Sequence, residues 1–255
     1  TQQAVAALRG APSVVIWPET SSVFLLQSDP DARDYIARAA APARAAIVGG
    51  LTFATGAPPV TKDNPPRNSL IAMAADASIH AIYDKWHLVP FGEYPPSWVP
   101  LSIQIVPGQF GFGTGPATLR LPGVPAFGPM ICYEAIFPAQ VVDQADRPEW
   151  LVNITNDAWF GNSTGPRQHL AGARLRAVEE GLPLMRAANT GISVGFDSRG
   201  RELGRTSLGI ATTLALPLPG KRPPTSFSRW GLVVPGLMAI TAACIAIGVT
   251  RRRSG

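Results

Sequence analysis

Charge is what this sequence has least of. Asp, Glu, Lys and Arg make up 15% of the 255 residues, against about 25% in an ordinary soluble domain. The net charge is +5, and Arg251, Arg252 and Arg253 alone supply three of those charges. No basic stretch interleaved with aromatics occurs in the body of the chain, which argues against a nucleic-acid partner. Cysteine is scarce as well: only Cys132 and Cys244 are present. Cys244 lies inside an apolar segment, which argues against a disulfide between them. Two cysteines and three histidines at unrelated spacings form no zinc pattern, so no metal is expected. An initiator methionine and a signal peptide are also missing. The chain opens at Thr1 and runs almost at once into a strand, which suggests a piece of a longer protein.

Hydrophobic residues, by contrast, reach 46%, and they fall mostly in short runs. Ser13–Trp17, Ala45–Ala54, Ser69–Ala75 and Ile79–Tyr83 read as strands, the last two joined by a turn at Asp76–Ser78. Ala117–Leu121, Ala126–Cys132, Trp150–Ile154, Leu184–Ala188, Ile192–Asp197 and Thr206–Leu216 read the same way. Helices are expected over Asp29–Ala41, with Asp29 as N-cap and Pro30 in the first turn, over Pro138–Asp146, and over Arg167–Glu180, closed by Gly181. Strands in pairs with a few helices imply a layered α/β or α+β sandwich. The glycine-rich GQFGFGTG within Pro100–Pro116 neither follows a clear strand nor opens a helix, so it is not a phosphate-binding loop.

One run is long. Trp230–Thr250 contains 21 residues without a charge, and a membrane-spanning helix needs about 20 apolar residues. Trp230 stands where an interfacial aromatic would, and Arg251–Arg253 would stay on the cytoplasmic side. A membrane span is therefore expected here.

The stretch Gly128–Pro138, GPMICYEAIFP, carries a candidate nucleophile at the end of an apolar run. By itself this stretch favours Cys132 as a small core hydrophobe. A reactive thiol needs a base beside it, and His80, His87 and His169 show no relation to a nucleophile motif. A desolvated carboxylate can serve instead, with a lysine stabilising a developing oxyanion. Glu19 and Lys85 stand at strand edges and could take those parts. Each also has an ordinary reading, Glu19 as a helix-capping acid and Lys85 as a solvated loop charge. Their spacing leaves open whether they meet.

WPE at Trp17–Glu19, DKWHLVPFGEY at Asp84–Tyr94, CYE at Cys132–Glu134 and NDAWFG at Asn156–Gly161 together resemble the nitrilase, or carbon–nitrogen hydrolase, superfamily. Within it, HLVPFGEY, ICYE and the NDAWFG-to-RAANTG series are similar to the apolipoprotein N-acyltransferases, membrane enzymes that complete bacterial lipoprotein acylation. The resemblance implies a four-layer αββα sandwich over residues 1–222, a transmembrane helix over 230–250 and a basic cytoplasmic tail over 251–255. It implies Glu19 as general base, Lys85 as oxyanion-stabilising cation and Cys132 as acyl-accepting nucleophile. Glu93 would orient the lysine or assist proton transfer, Tyr133 would lend its backbone N–H, and Glu134 would support the site. Trp159 would stand at the substrate entrance.

The implied substrates are a phospholipid acyl donor such as phosphatidylethanolamine and a diacylglyceryl apolipoprotein acceptor, with no cofactor. The implied place is the bacterial inner membrane, catalytic domain periplasmic. The loops Asp84–Pro116 and Asn156–Pro166 would form a mobile lid. Two departures stand out: the helical bundle that precedes this domain in the family is missing, and Trp86 replaces an expected basic residue. The rival readings are a hydrolase of small amides, against which the expected span argues, and a silent membrane-tethered binding domain, against which the retained triad argues.

Overall fold

The computed structural model describes residues 1–8, 10–96 and 109–253, with the side chains of the last helix as far as Ile247. A short helix α1 (Gln2–Ala6) precedes β1 (Val14–Ile16), and α2 (Pro30–Ala40) leads into β2 (Ala45–Thr52), β3 (Arg67–Ala74) and β4 (Ile79–Asp84). The second half follows as β5 (Leu119–Leu121), β6 (Val124–Ile131), a 3₁₀ turn (Cys132–Ile136) and β7 (Trp150–Asn156). A second 3₁₀ turn (Asp157–Phe160), α3 (Gly165–Glu180), β8 (Leu184–Asn189), β9 (Val194–Phe196) and β10 (Glu202–Arg205) complete it. Two helices close the chain, α4 (Ser226–Trp230) and α5 (Val233–Arg253).

The strands form two sheets. One has the order β1-β2-β3-β4, and the other β10-β9-β8-β7-β6-β5. The β1–β2, β6–β7 and β7–β8 pairs are parallel and the rest antiparallel. Because successive strand residues face opposite sides, each central strand serves two cores. Ala45 and Ile47 of β2, with Leu70 and Ala72 of β3, meet Phe127, Ile131, Val152 and Ile154 of the other sheet. The alternate residues Ala46, Val48, Ile71 and Met73 pack towards Ala32 and Ala40 of α2. On the far side Met130, Leu151 and Leu184 pack under Leu170, Ala173 and Ala177 of α3. The result is the expected αββα sandwich.

Local chemistry sets the helix ends. The Asp29 carboxylate accepts the Ala32 N–H (2.9 Å), with Pro30 in the first turn, and Gly181 (φ +66°) closes α3.

Three expected elements differ. No helix forms over Pro138–Asp146, where Ala139 takes φ +60° and turns the chain instead. Thr206–Leu216 is not a strand: Gly209 (φ +73°) breaks it, and the edge strand is β10, paired with β9. Trp230 ends α4, and Gly231 (φ +52°, ψ −128°) separates it from α5, so no continuous helix runs over Trp230–Thr250. Among the described residues no helix is long and apolar enough to cross a membrane. The first part of the expected loop at Pro100–Pro116 lies outside the described residues.

Candidate active site

Three strand ends converge. Beyond β1 the chain is pinned to β2 by the Trp17 N–H on the Ile47 carbonyl (2.8 Å) and the Ser22 N–H on that of Gly49 (2.9 Å). Glu19 lies between these ties and is buried. Position 49 must be glycine, since a Cβ there would stand 2.6 Å from the Glu19 Cα. Lys85 follows β4, its N–H held by the Asn68 carbonyl (2.8 Å) and its side chain 1% exposed. The preceding Asp84 is locked by Arg67 (2.6 Å), Ser69 (2.6 Å) and Thr52 (3.2 Å). Cys132 comes straight after β6 with φ +49°, a left-handed conformation that turns the chain sharply off the strand.

The side chains form one buried cluster. Lys85 Nζ lies 3.3 Å from Glu19 Oε1 and 2.9 Å from Glu93 Oε1. Asn68 Nδ2 donates to the same two oxygens, at 2.6 and 3.0 Å. The second Glu19 oxygen accepts the Asn156 N–H (2.7 Å), and that of Glu93 accepts the Val89 N–H (2.8 Å). Burial alone would lower the Lys85 pKa, but Glu19, Cys132 and Glu93 outweigh it and hold it above the usual lysine range. Burial first, then the Glu19 charge, pushes the Cys132 thiol up to about 12, against Lys85, Thr155 and Arg186. At rest Cys132 is therefore a neutral thiol beside a carboxylate and a fixed cation. That arrangement suits proton removal by Glu19 during attack on a carbonyl, with Lys85 facing the charge that develops.

The remaining expected residues separate. Glu93 is in the cluster. Glu134 lies beneath it: its oxygens accept the Ile131 N–H (2.7 Å), the Trp86 N–H (2.8 Å) and the Tyr83 hydroxyl (2.9 Å). Burial pushes its carboxyl up to about 7 against these donors. Glu134 thus ties the segment after Lys85 to the turn at Cys132, and it does so through the backbone of Trp86. Tyr133 is half-buried, edge-on to Phe137 (5.1 Å). Trp159 is 67% exposed on the 3₁₀ turn that follows Asn156. The glycine-rich loop is scaffold here, its Gly113 N–H bonded to the Lys85 carbonyl (2.9 Å) and its Phe110 N–H to that of Glu93 (3.0 Å).

Sequence reading missed Asn68, the Asn156 N–H, Thr155 and His169. The one available signal was polar residues inside strands otherwise built for burial: Asn68 in RNSLIAMA, and Asn153 and Thr155 in WLVNITN. Histidine 169 is buried, with Nε2 2.9 Å from the Cys132 carbonyl. Among the described residues no group of three or more His, Cys, Asp or Glu is disposed to hold a metal ion.

Comparison with known proteins agrees with this architecture. The chain is 42% identical over 247 residues to the apolipoprotein N-acyltransferase of Bradyrhizobium diazoefficiens, covering 94% of this chain and 45% of that protein. It is 36% identical over 264 residues to the protein of the same name from Brucella melitensis, covering 99% and 49%. The chain thus spans about half the length of these relatives. In fold it is similar to an amidase from Nesterenkonia (TM-score 0.55, 19% identity, 88% of this chain and 85% of that one). It is also similar to a carbon-nitrogen hydrolase from Helicobacter pylori (TM-score 0.55, 18% identity, 80% and 76%). The carbon-nitrogen hydrolase family model matches residues 2–215, the whole sandwich from α1 past β10. With its two sheets, its flanking helices and this match in hand, the chain belongs to the carbon-nitrogen hydrolase family.

Proposed function

We propose that this chain is the catalytic part of an N-acyltransferase that moves a fatty acyl group from a phospholipid, through a Cys132 thioester, to the α-amine of a diacylglyceryl-cysteine on an apolipoprotein. The observation that carries the reading is the buried contact of Lys85 with both Glu19 and Glu93 beside the strained Cys132 turn. The likeness to apolipoprotein N-acyltransferases over more than nine-tenths of the chain supports the choice of acceptor.

In the first half-reaction Glu19 takes the thiol proton as the sulfur bonds to the ester carbonyl carbon. Lys85 and the Tyr133 N–H hold the oxyanion. The ester C–O bond then breaks, the leaving alkoxide recovers the proton from Glu19, and a lysophospholipid departs. In the second half-reaction the acceptor amine attacks the thioester, Glu19 takes its proton, and the C–S bond breaks. The leaving thiolate then recovers that proton from Glu19. Glu93 and Asn68 keep the lysine and the base in register, and Trp159 lies at the entrance for the acyl chain. The loop Asn156–Pro166, which carries Trp159, acts as the lid.

Phosphatidylethanolamine is the donor we favour, at the bacterial inner membrane with the sandwich on the periplasmic side. Helix α5 anchors it there, since Val233, Leu237, Met238, Ile240 and Ile245 are exposed apolar side chains along it. No cofactor takes part.

The test is peptide mass spectrometry of Cys132 after incubating the full-length protein with phospholipid. The expected result is a fatty-acyl mass increment on Cys132 that a lipopeptide with a free α-amine removes, absent from a folded Cys132→Ala variant. An unmodified Cys132 together with ammonia release from small amides would replace this reading with amide hydrolysis.

A further inference from the structure

A non-glycine residue held at positive φ costs about 1–3 kcal/mol and persists only where its surroundings over-determine it. Cys132 is such a residue, at φ +49°. In front of it Glu134 secures the Ile131 N–H. Behind it, a chain of buried polar groups leaves the nucleophile strand and returns to it.

The chain starts at the Cys132 carbonyl, 2.9 Å from His169 Nε2. His169 Nδ1 lies 2.9 Å from Asp157 Oδ1, and the other Asp157 oxygen accepts from Arg186 Nη2 (2.8 Å). Arg186 Nη1 donates to Asn153 Oδ1, and Asn153 Nδ2 donates to the Met130 carbonyl (3.2 Å), two residues before the nucleophile. A branch runs from the Thr155 hydroxyl, which donates to Asp157 Oδ1 (3.2 Å). His169, Asp157 and Arg186 have side chains 3% exposed or less. Burying a charged pair and a histidine together is costly unless every donor and acceptor is matched, and a packed apolar cluster would hold α3 on the sheet at less cost. The chemical result of this arrangement is a fixed hydrogen-bond donor on the Cys132 carbonyl.

We propose that His169 is a positioning residue for the nucleophile: its Nε2–H holds the Cys132 carbonyl, and Asp157, braced by Arg186, orients the ring. The inference rests on Cys132 being the nucleophile. It adds a residue that does not touch substrate but keeps the thiol turned towards Glu19 and Lys85. Without the tether the backbone relaxes away from its left-handed conformation and the sulfur leaves the field of the lysine. A displacement on the order of 1 Å at a reacting atom costs about a hundredfold in rate.

Two variants of the intact chain separate positioning from packing. His169→Gln keeps an N–H near the Nε2 position, and His169→Asn keeps one only near Nδ1. The readout is the rate of Cys132 alkylation by iodoacetamide at fixed pH, followed by peptide mass spectrometry, with a free cysteine-containing peptide added to the same tube as reference. We expect His169→Gln to stay within about threefold of the unaltered protein and His169→Asn to fall at least about tenfold, with the reference peptide unchanged in both. Equal loss in the two variants, no loss in either, or the reverse order overturns the proposal. Because the readout needs no acyl donor, a normally alkylated Cys132 that never forms an acyl adduct would sink the acyl-transfer reading while leaving this one intact.

Discussion

Around Cys132 the decisive quantity is the cost of making an anion in a buried place. Burial raises the thiol, the Glu19 charge raises it further, and Lys85 pulls the other way, leaving it at about 12. Alkylation of Cys132 should therefore climb roughly tenfold per pH unit through neutral pH, with no plateau by pH ~10. Glu19→Gln separates two roles of one carboxylate. It removes the negative neighbour, so the folded-state thiol titrates lower and Cys132 alkylates faster at a given pH. It also removes the proton acceptor, so acyl transfer falls by about a hundredfold or more. Opposite signs in the two assays are the expected outcome. A parallel fall in both would mean that Glu19 only supports the fold.

The strands and turns set the precision of the site. Glu19, Lys85 and Cys132 sit one to three residues past the end of a strand, at β1, β4 and β6, where the sheet fixes the backbone and the next residue is free to turn. The loop carrying Gly113 closes over Lys85, and a Cβ at position 113 would overlap the Asp84 carbonyl oxygen and lie 3.2 Å from the Lys85 carbonyl carbon. Both obstacles are backbone, so the loop or the lysine must move. Gly113→Ala is expected to cost about 2 kcal/mol, seen as a melting temperature lower by about 4–8 °C, and to slow acylation of Cys132. Unchanged melting and acylation would show that the loop yields without disturbing Lys85.

At the scale of the whole molecule the sandwich and the last helix are energetically separate. Val233, Leu237, Met238, Ile240 and Ile247 of α5 are each more than half exposed and so add little to any of the three cores. Removing residues 233–255 should leave the melting temperature within a few degrees, because little apolar area is lost from the fold. The same truncation should abolish co-sedimentation with phospholipid vesicles. Retained vesicle binding would assign the lipid contact to the sandwich itself.

The strands β1 to β9 in chain order, the α2 and α3 helices with their Asp29 and Gly181 ends, and the identity of Glu19, Lys85 and Cys132 as candidates were legible in the sequence. These depend on nearest-neighbour chemistry: alternation, caps and turns act over a few residues. The misread segments failed where one backbone angle overrode composition, at Ala139, Gly209 and Gly231. The contacts among Glu19, Asn68, Lys85 and Glu93, and the tether from His169 to Cys132, join residues up to 66 positions apart. Such contacts exist only after two sheets close on each other, because burial gives a hydrogen bond or a charge its strength and no local spacing encodes it.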